Sequence, residues 1–149
     1  MYIVKCGLTE VGERVEVWEE GAGWSRGPDL PEKREGAACA RLGDTVFVSG
    51  GYNRATNQHD GATLLLELGS QAGSAHLARL IVLLQVWRRA GPLSWARHDH
   101  GMAVRGGRLL AFGGGYSGDT SVEEWDWGLD GWYDVQSSVV MRKIFIFPP

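Results

Sequence analysis

Little in this chain points to covalent chemistry or to a charged partner. It has two cysteines, Cys6 and Cys39, in 149 residues, too few for a disulfide framework. A reducing compartment, the cytoplasm, is therefore the default expectation, and Cys39 in "GAACARL" reads as a small core residue. No charge of one sign dominates. The formal net charge of −3 gives no electrostatic argument for nucleic acid or an anionic membrane. Long apolar runs are also missing. "LARLIVLLQVW", Leu77 to Trp87, is interrupted by Arg79, closed by Arg88 and Arg89, and too short to span a bilayer. The start, "MYIVKCGLTE", has no basic stretch followed by a long apolar one, so it does not read as a secretory signal. No Ser–His–Asp, reactive-cysteine or P-loop pattern stands out.

What the chain does have is glycine, 22 residues, and tryptophan, 7 residues. With few long periodic segments, that composition suggests an all-β chain of short strands and tight turns. The glycines and tryptophans are also spaced. Trp24, Trp87 and Trp132 are each followed ten residues later by an arginine: Arg34, Arg97 and Arg142. After Arg34 and Arg97 a glycine pair begins 16 residues on, at Gly50-Gly51 and Gly113-Gly114. The pattern W-x9-R-x15-G-G thus occurs twice in one register, and the third copy reaches the last residue before its glycines. Between these markers "EGAACARLGDTVFVSGGYN" lies over "HGMAVRGGRLLAFGGGYSGD". Each reads as a β-hairpin turning at Gly43 or at Gly106 and Gly107. "RVEVWEEGAGW" and "SVEEWDWGLDGW" supply a further strand and a turn before two of the tryptophans. Each unit therefore offers four short strands.

This unit resembles the kelch repeat, in which four antiparallel strands form one blade of a β-propeller. The resemblance implies that Gly50 and Gly113 end the second strand, where blade edges crowd and a residue without Cβ packs closely. It also implies that the tryptophans lie on the fourth strand and pack between blades. The expected fold is an incomplete kelch propeller of about two to three blades. Residues 1–33 would be a partial blade (strands two to four), 34–96 and 97–141 two repeats, and 142–149 the truncated start of another blade. The stretch from Gly50 to Trp87 carries about 18 more residues than its counterpart from Gly113 to Trp132. They would divide between a long loop at "NRATNQHDGA" and an irregular or helical insert before a fourth strand ending near Trp87, with "TLLLEL" as the third strand. A closed propeller needs about four to eight blades. The chain is thus expected to be a fragment of a larger kelch protein, or a truncated one, with open blade edges that favour self-association.

Three groups invite a chemical reading. "GGGYSG" contains G-x-G-x-x-G at Gly113, Gly115 and Gly118, but strand-like sequence follows where a dinucleotide site needs a helix. In "RHDHG", His98 and His100 would share one face of a strand, yet no third metal ligand is in view. The acids Glu123, Glu124, Asp126, Asp130 and Asp134 alternate in direction and read as a solvated turn rather than as a converging acid–base pair. No cofactor, metal or catalytic residue is therefore expected.

What remains is recognition. Trp95 is the tryptophan expected to be exposed. The loops after the glycine pairs and those entering each first strand should emerge on one face. Tyr52, Asn53, Arg54, Trp95, Arg97, His98 and Tyr116 are the candidate contacts there, against the plain alternative of ordinary polar loop residues. The resemblance implies a protein or peptide partner and no enzyme. It suggests the substrate-recognition part of a cullin-type ubiquitin ligase adaptor, with actin as another partner class. A sugar-active propeller of the sialic-acid epimerase type and a non-functional truncated fragment are the alternatives. A copper-oxidase site is not assembled here.

Overall fold

The computed structural model describes residues 2–6, 13–68, 86–115 and 120–135. They form three blade-like antiparallel sheets. The first has β1 (Tyr2–Cys6), β2 (Val15–Glu19) and β3 (Gly23–Arg26), in that order. The middle sheet has β4 (Ala38–Leu42), β5 (Thr45–Ser49), β8 (Thr63–Glu67) and β9 (Arg88–Ala90). The third has β10 (Gly101–Arg105), β11 (Arg108–Phe112), β12 (Val122–Asp126) and β13 (Gly131–Asp134). A small ribbon of β6 (Tyr52–Asn53) and β7 (Gln58–His59) stands in the long loop after the first glycine pair.

The residues explain the stacking. Side chains alternate between the two faces of a strand. In β5 and β8 of the middle sheet, Val46, Val48, Leu64 and Leu66 pack with Val15 and Leu30 against the first sheet. Phe47 and Leu65 point the other way and pack with Leu109, Ala111, Trp125 and Trp132 of the third. Both faces are covered, so "TVFVS" and "TLLLE" read as continuous runs rather than as polar–apolar alternation. Leu64, Leu65 and Leu66 are each buried, contributing about 1.5–3 kcal/mol apiece as an upper estimate.

The tight turns differ between copies. Between β4 and β5 only Gly43 has positive φ, the sign pattern of a type II′ turn; between β10 and β11 both Gly106 and Gly107 do, as in type I′.

The tryptophans tie each sheet to the one before it. Trp132 on β13 donates its indole N–H to Thr63 Oγ1 of the middle sheet at 2.7 Å. Trp87 donates to the carbonyl of Pro28 at 3.2 Å, beyond the end of β3. Two expectations need correcting. The fourth strand of the middle sheet starts at Arg88, because the described pairing with β8 begins at Leu65–Arg88, so Trp87 stands just ahead of it. Trp24, expected in the core, is 49% exposed. No described sheet precedes the first one to cover it. The insert expected before about Leu80 lies outside the described residues.

Candidate functional site

The repeated arginines are structural. Arg34 is 1% exposed; its Nη1 donates to the carbonyls of Gly50 at 3.1 Å and Ala62 at 2.9 Å. Arg97, also 1% exposed, donates from Nη1 to the carbonyls of Gly113 at 2.9 Å and Ser121 at 3.4 Å. The 16-residue step from arginine to glycine is the reach of this clamp: it satisfies backbone acceptors where one strand ends and the next begins. Arg97 was a candidate for partner contact. Its burial withdraws it from any surface role.

The counter-charges differ. Arg34 Nη2 lies 2.9 Å from Asp60 Oδ2, in the loop; burial pulls the guanidinium down from its usual value and Asp60 pulls it up. Arg97 Nη2 meets Glu123 Oε1 at 2.7 Å, and Glu123 Oε2 accepts the backbone N–H of Ser94 at 2.7 Å. Glu123 is fully buried and Glu124, with Arg108 at its carboxylate, is 6% exposed. The reading as a solvated turn is therefore overturned for Glu123 and Glu124, whereas Asp126 and Asp130 do stand at the turn between β12 and β13 and Asp134 is exposed. The opposite directions of Glu123 and Glu124 hold, since each meets a different arginine. Cys39 packs against the core as expected, but it is disulfide-bonded, which goes against the reducing compartment expected from the cysteine count.

The glycine pairs sit where consecutive sheets touch. A Cβ on Gly50 would stand 2.3 Å from the carbonyl oxygen of Arg97 and 2.6 Å from His100 Cε1, and the residue has φ of 64°. Gly51 N donates to that same Arg97 carbonyl at 2.8 Å. The entry segment of the third sheet thus lies directly on the glycine pair of the middle one.

This junction separates the two histidines. Neither is in a strand, because β10 begins at Gly101 and Asp99 turns the chain with φ of 52°. His100 turns inward, 8% exposed, with Nε2 3.1 Å from Ser49 Oγ. Burial, then the Arg97 charge, lowers its pKa to about 4. His98 turns outward and stacks on His59 at 4.5 Å, and His59 in turn meets Tyr52 at 5.0 Å. Among the described residues no group of three or more His, Cys, Asp or Glu is placed to hold a metal ion.

Around this stack the structure gathers several of the candidate contacts. Glu35 exchanges backbone hydrogen bonds with Tyr52, at 2.9 and 2.8 Å, and takes the guanidinium of Arg54 at 2.6 Å. Asn53 turns its Oδ1 onto the N–H of Ala55 at 2.9 Å, so it shapes the loop. Trp95 is 64% exposed, on a segment that Leu93 N ties to the Gly61 carbonyl at 2.7 Å. Tyr116 lies outside the described residues. Sequence reasoning missed Glu35 and His59. Glu35 was findable, because it stands in the repeat where His98 does. His59 had no signal, being in the extra length of a loop that is shorter in the other copy.

No protein-family model matches the chain. Kelch-like protein 34 of Homo sapiens is 33% identical over 115 residues, which is 73% of this chain and 15% of that protein. The chain therefore spans a small part of the curated relative it matches. The solved structure of YjhT superposes with a TM-score of 0.56 at 16% identity, over 81% of this chain and 38% of that one, a likeness of fold.

Proposed function

Starting from a chain that belongs to the kelch-repeat proteins, we propose that it is a protein-binding module whose contact surface is the loop cluster at the glycine-pair ends of the middle and third sheets. The observation that carries this reading is the convergence of loops from adjacent sheets on the His59–His98 stack, beside an exposed tryptophan. Tyr52, Arg54, Trp95 and His98 are the contacts, with Glu35 and Asn53 holding the loops. Aromatic and arginine side chains on a rigid scaffold suit recognition of a folded partner or an extended peptide. The scaffold is rigid here because the arginine clamps and glycine pairs fix both ends of each loop.

The finer reading is substrate recognition within a cullin-type ubiquitin ligase. It rests on the role common in the family, and on the name of the human relative only as far as "kelch-like" goes. The enzyme reading has less support: the buried acids Glu123 and Glu124, and Asp60 in the loop, are each held by an arginine that ties strands together.

The test is capture of a partner from cell extract by the immobilised chain, compared with Trp95→Ala/His98→Ala and with Asp44→Ala at the opposite ends of the strands. The loop variant should lose the captured protein and the Asp44 variant should keep it. Equal capture by all three would remove the loop cluster as the contact surface.

A further inference from the structure

The chain has two cysteines, Cys6 and Cys39, and Cys39 is disulfide-bonded, so within one copy Cys6 is the residue left to pair with it. The sheets bring the two positions together. Cys6 ends β1 opposite Val15, and Cys39 lies on β4 opposite Val48. Directly paired residues of antiparallel strands share a face of their sheet. Val15 and Val48 both belong to the core between the first and middle sheets, and Cys39 packs against it. β1 and β4 are neighbours across that junction. The next junction repeats the construction with other residues. Thr63 opens β8 as Val15 opens β2, so Ser49, opposite Thr63, holds in the middle sheet the place that Cys6 holds in the first. Met102 stands five residues after Arg97, as Cys39 stands five after Arg34. Ser49 Oγ lies 3.2 Å from Met102 Sδ. The repeat thus places Cys6 and Cys39 at a pair of positions that touch.

We infer that Cys6 and Cys39 form one redox-reversible site, a bond between the first and middle sheets that closes under oxidising conditions and opens to a dithiol. Two observations favour a switch over a permanent staple. The junction has an apolar core of its own, from Val15, Leu30, Val46, Val48, Leu64 and Leu66, so it does not need a bond in place of a core, as disulfide-dense small domains do. Cys39 is half-buried rather than enclosed, so a thiolate can reach its sulfur. Opening takes two electrons. A thiolate of the dithiol bonds to the Cys39 sulfur and the S–S bond breaks, leaving Cys6 as a thiolate. The second thiolate of the dithiol then displaces Cys39, and the reductant leaves as its own disulfide. The two cysteine thiolates take up the two protons that the reductant gave. The junction of the middle and third sheets has Ser49 and Met102 at these places and does not respond.

A non-reduced digest of the 149-residue chain, mapped by mass spectrometry, should show the peptides of Cys6 and Cys39 joined. The folded chain, carried through buffers of reduced and oxidised glutathione, should lose and regain the bond while keeping its far-UV circular dichroism. Reduction with dithiothreitol should lower the melting temperature by roughly 5–15 °C, and reoxidation should restore it. Cys39→Ser should melt where the reduced chain does and ignore dithiothreitol. If Cys39→Ser does not fold, Cys6→Ala, which leaves Cys39 against the core, should behave in that way instead. Two free thiols in the folded chain under oxidising conditions, or a bond between two copies, overturns the inference. So does a bond that opens only once the chain is unfolded, which is the mark of a permanent staple. A Cys6→Ala variant whose melting still shifts with dithiothreitol overturns it as well.

Discussion

Arg34 and Arg97 are the same device built twice, with one part exchanged. Each occupies the same place after its tryptophan, is buried to the same degree, and holds the carbonyl of the glycine 16 residues on. The acid is what differs. For Arg34 it is chiefly Asp60 at 2.9 Å, with Glu32 at 3.6 Å, both on loops and 27% and 29% exposed at the side chain; for Arg97 it is Glu123, in a strand and fully buried. The comparison separates what the fold demands from what it tolerates. Backbone carbonyls at a strand end must be satisfied, so the arginine and its spacing are fixed. A carboxylate within reach is enough to balance the charge, so its source can move.

The largest effect should come from removing the arginine whose acid cannot reach water. Arg97→Met leaves Glu123 charged and buried, and should cost about 3–5 kcal/mol in urea denaturation. Arg34→Met should cost less, roughly 1–3 kcal/mol for its carbonyls, because Asp60 can rehydrate. Equal losses would erase the distinction between the two copies.

The glycines divide in the same way. Gly50→Ala meets the Arg97 carbonyl as well as an unfavourable φ, and should cost roughly 2–5 kcal/mol. Gly106→Ala has φ of 57° with nothing within 4 Å, and should cost only about 1–2 kcal/mol. Thermal melts of the two variants would give the difference directly.

The third contrast is His100, which stands where the middle sheet has Ala37. Its folded pKa is lowered to about 4, below an ordinary histidine value of about 6.5. Between those values the unfolded chain binds the proton and the folded chain does not, so stability is full above about pH 6.5. It is lost as pH falls toward 4, by up to roughly 3 kcal/mol, and levels off below. His100→Ala should flatten that part of a stability–pH curve. A curve of unchanged slope would show that other groups carry it. The smallest effect belongs to Trp95→Ala, within about 0.5 kcal/mol in stability, because the side chain is 64% exposed.

Much of the fold was legible because its rules are local or periodic. The hairpins announced themselves by Gly43 and by Gly106–Gly107, and the blades by the tryptophan–arginine–glycine register. The purpose of that register was not legible. The sequence shows that Arg97 recurs, but burial depends on a carbonyl brought up from sixteen residues away, so it was read as a loop contact. Glu123 and Glu124 misled for a similar reason: two adjacent acids look solvated until two arginines on opposite faces are seen to meet them. The loop cluster was half legible. Tyr52 and His98 followed from the repeat, whereas His59 reaches them through the β6–β7 ribbon, which has no counterpart in the other copy among the described residues. Trp24 was misplaced because its position in the repeat implies a neighbouring sheet, and none precedes it among the described residues.

The central claim is that the arginine is the fixed part of each clamp and the acid the movable part. Two double-mutant cycles by urea denaturation, Arg97→Met with Glu123→Gln and Arg34→Met with Asp60→Asn, test it most directly. The account predicts a coupling of about 2 kcal/mol or more for the buried pair and under about 1 kcal/mol for the loop pair, with both arginine variants destabilising. Equal couplings, or an Arg34→Met variant as stable as the unaltered chain, would contradict it.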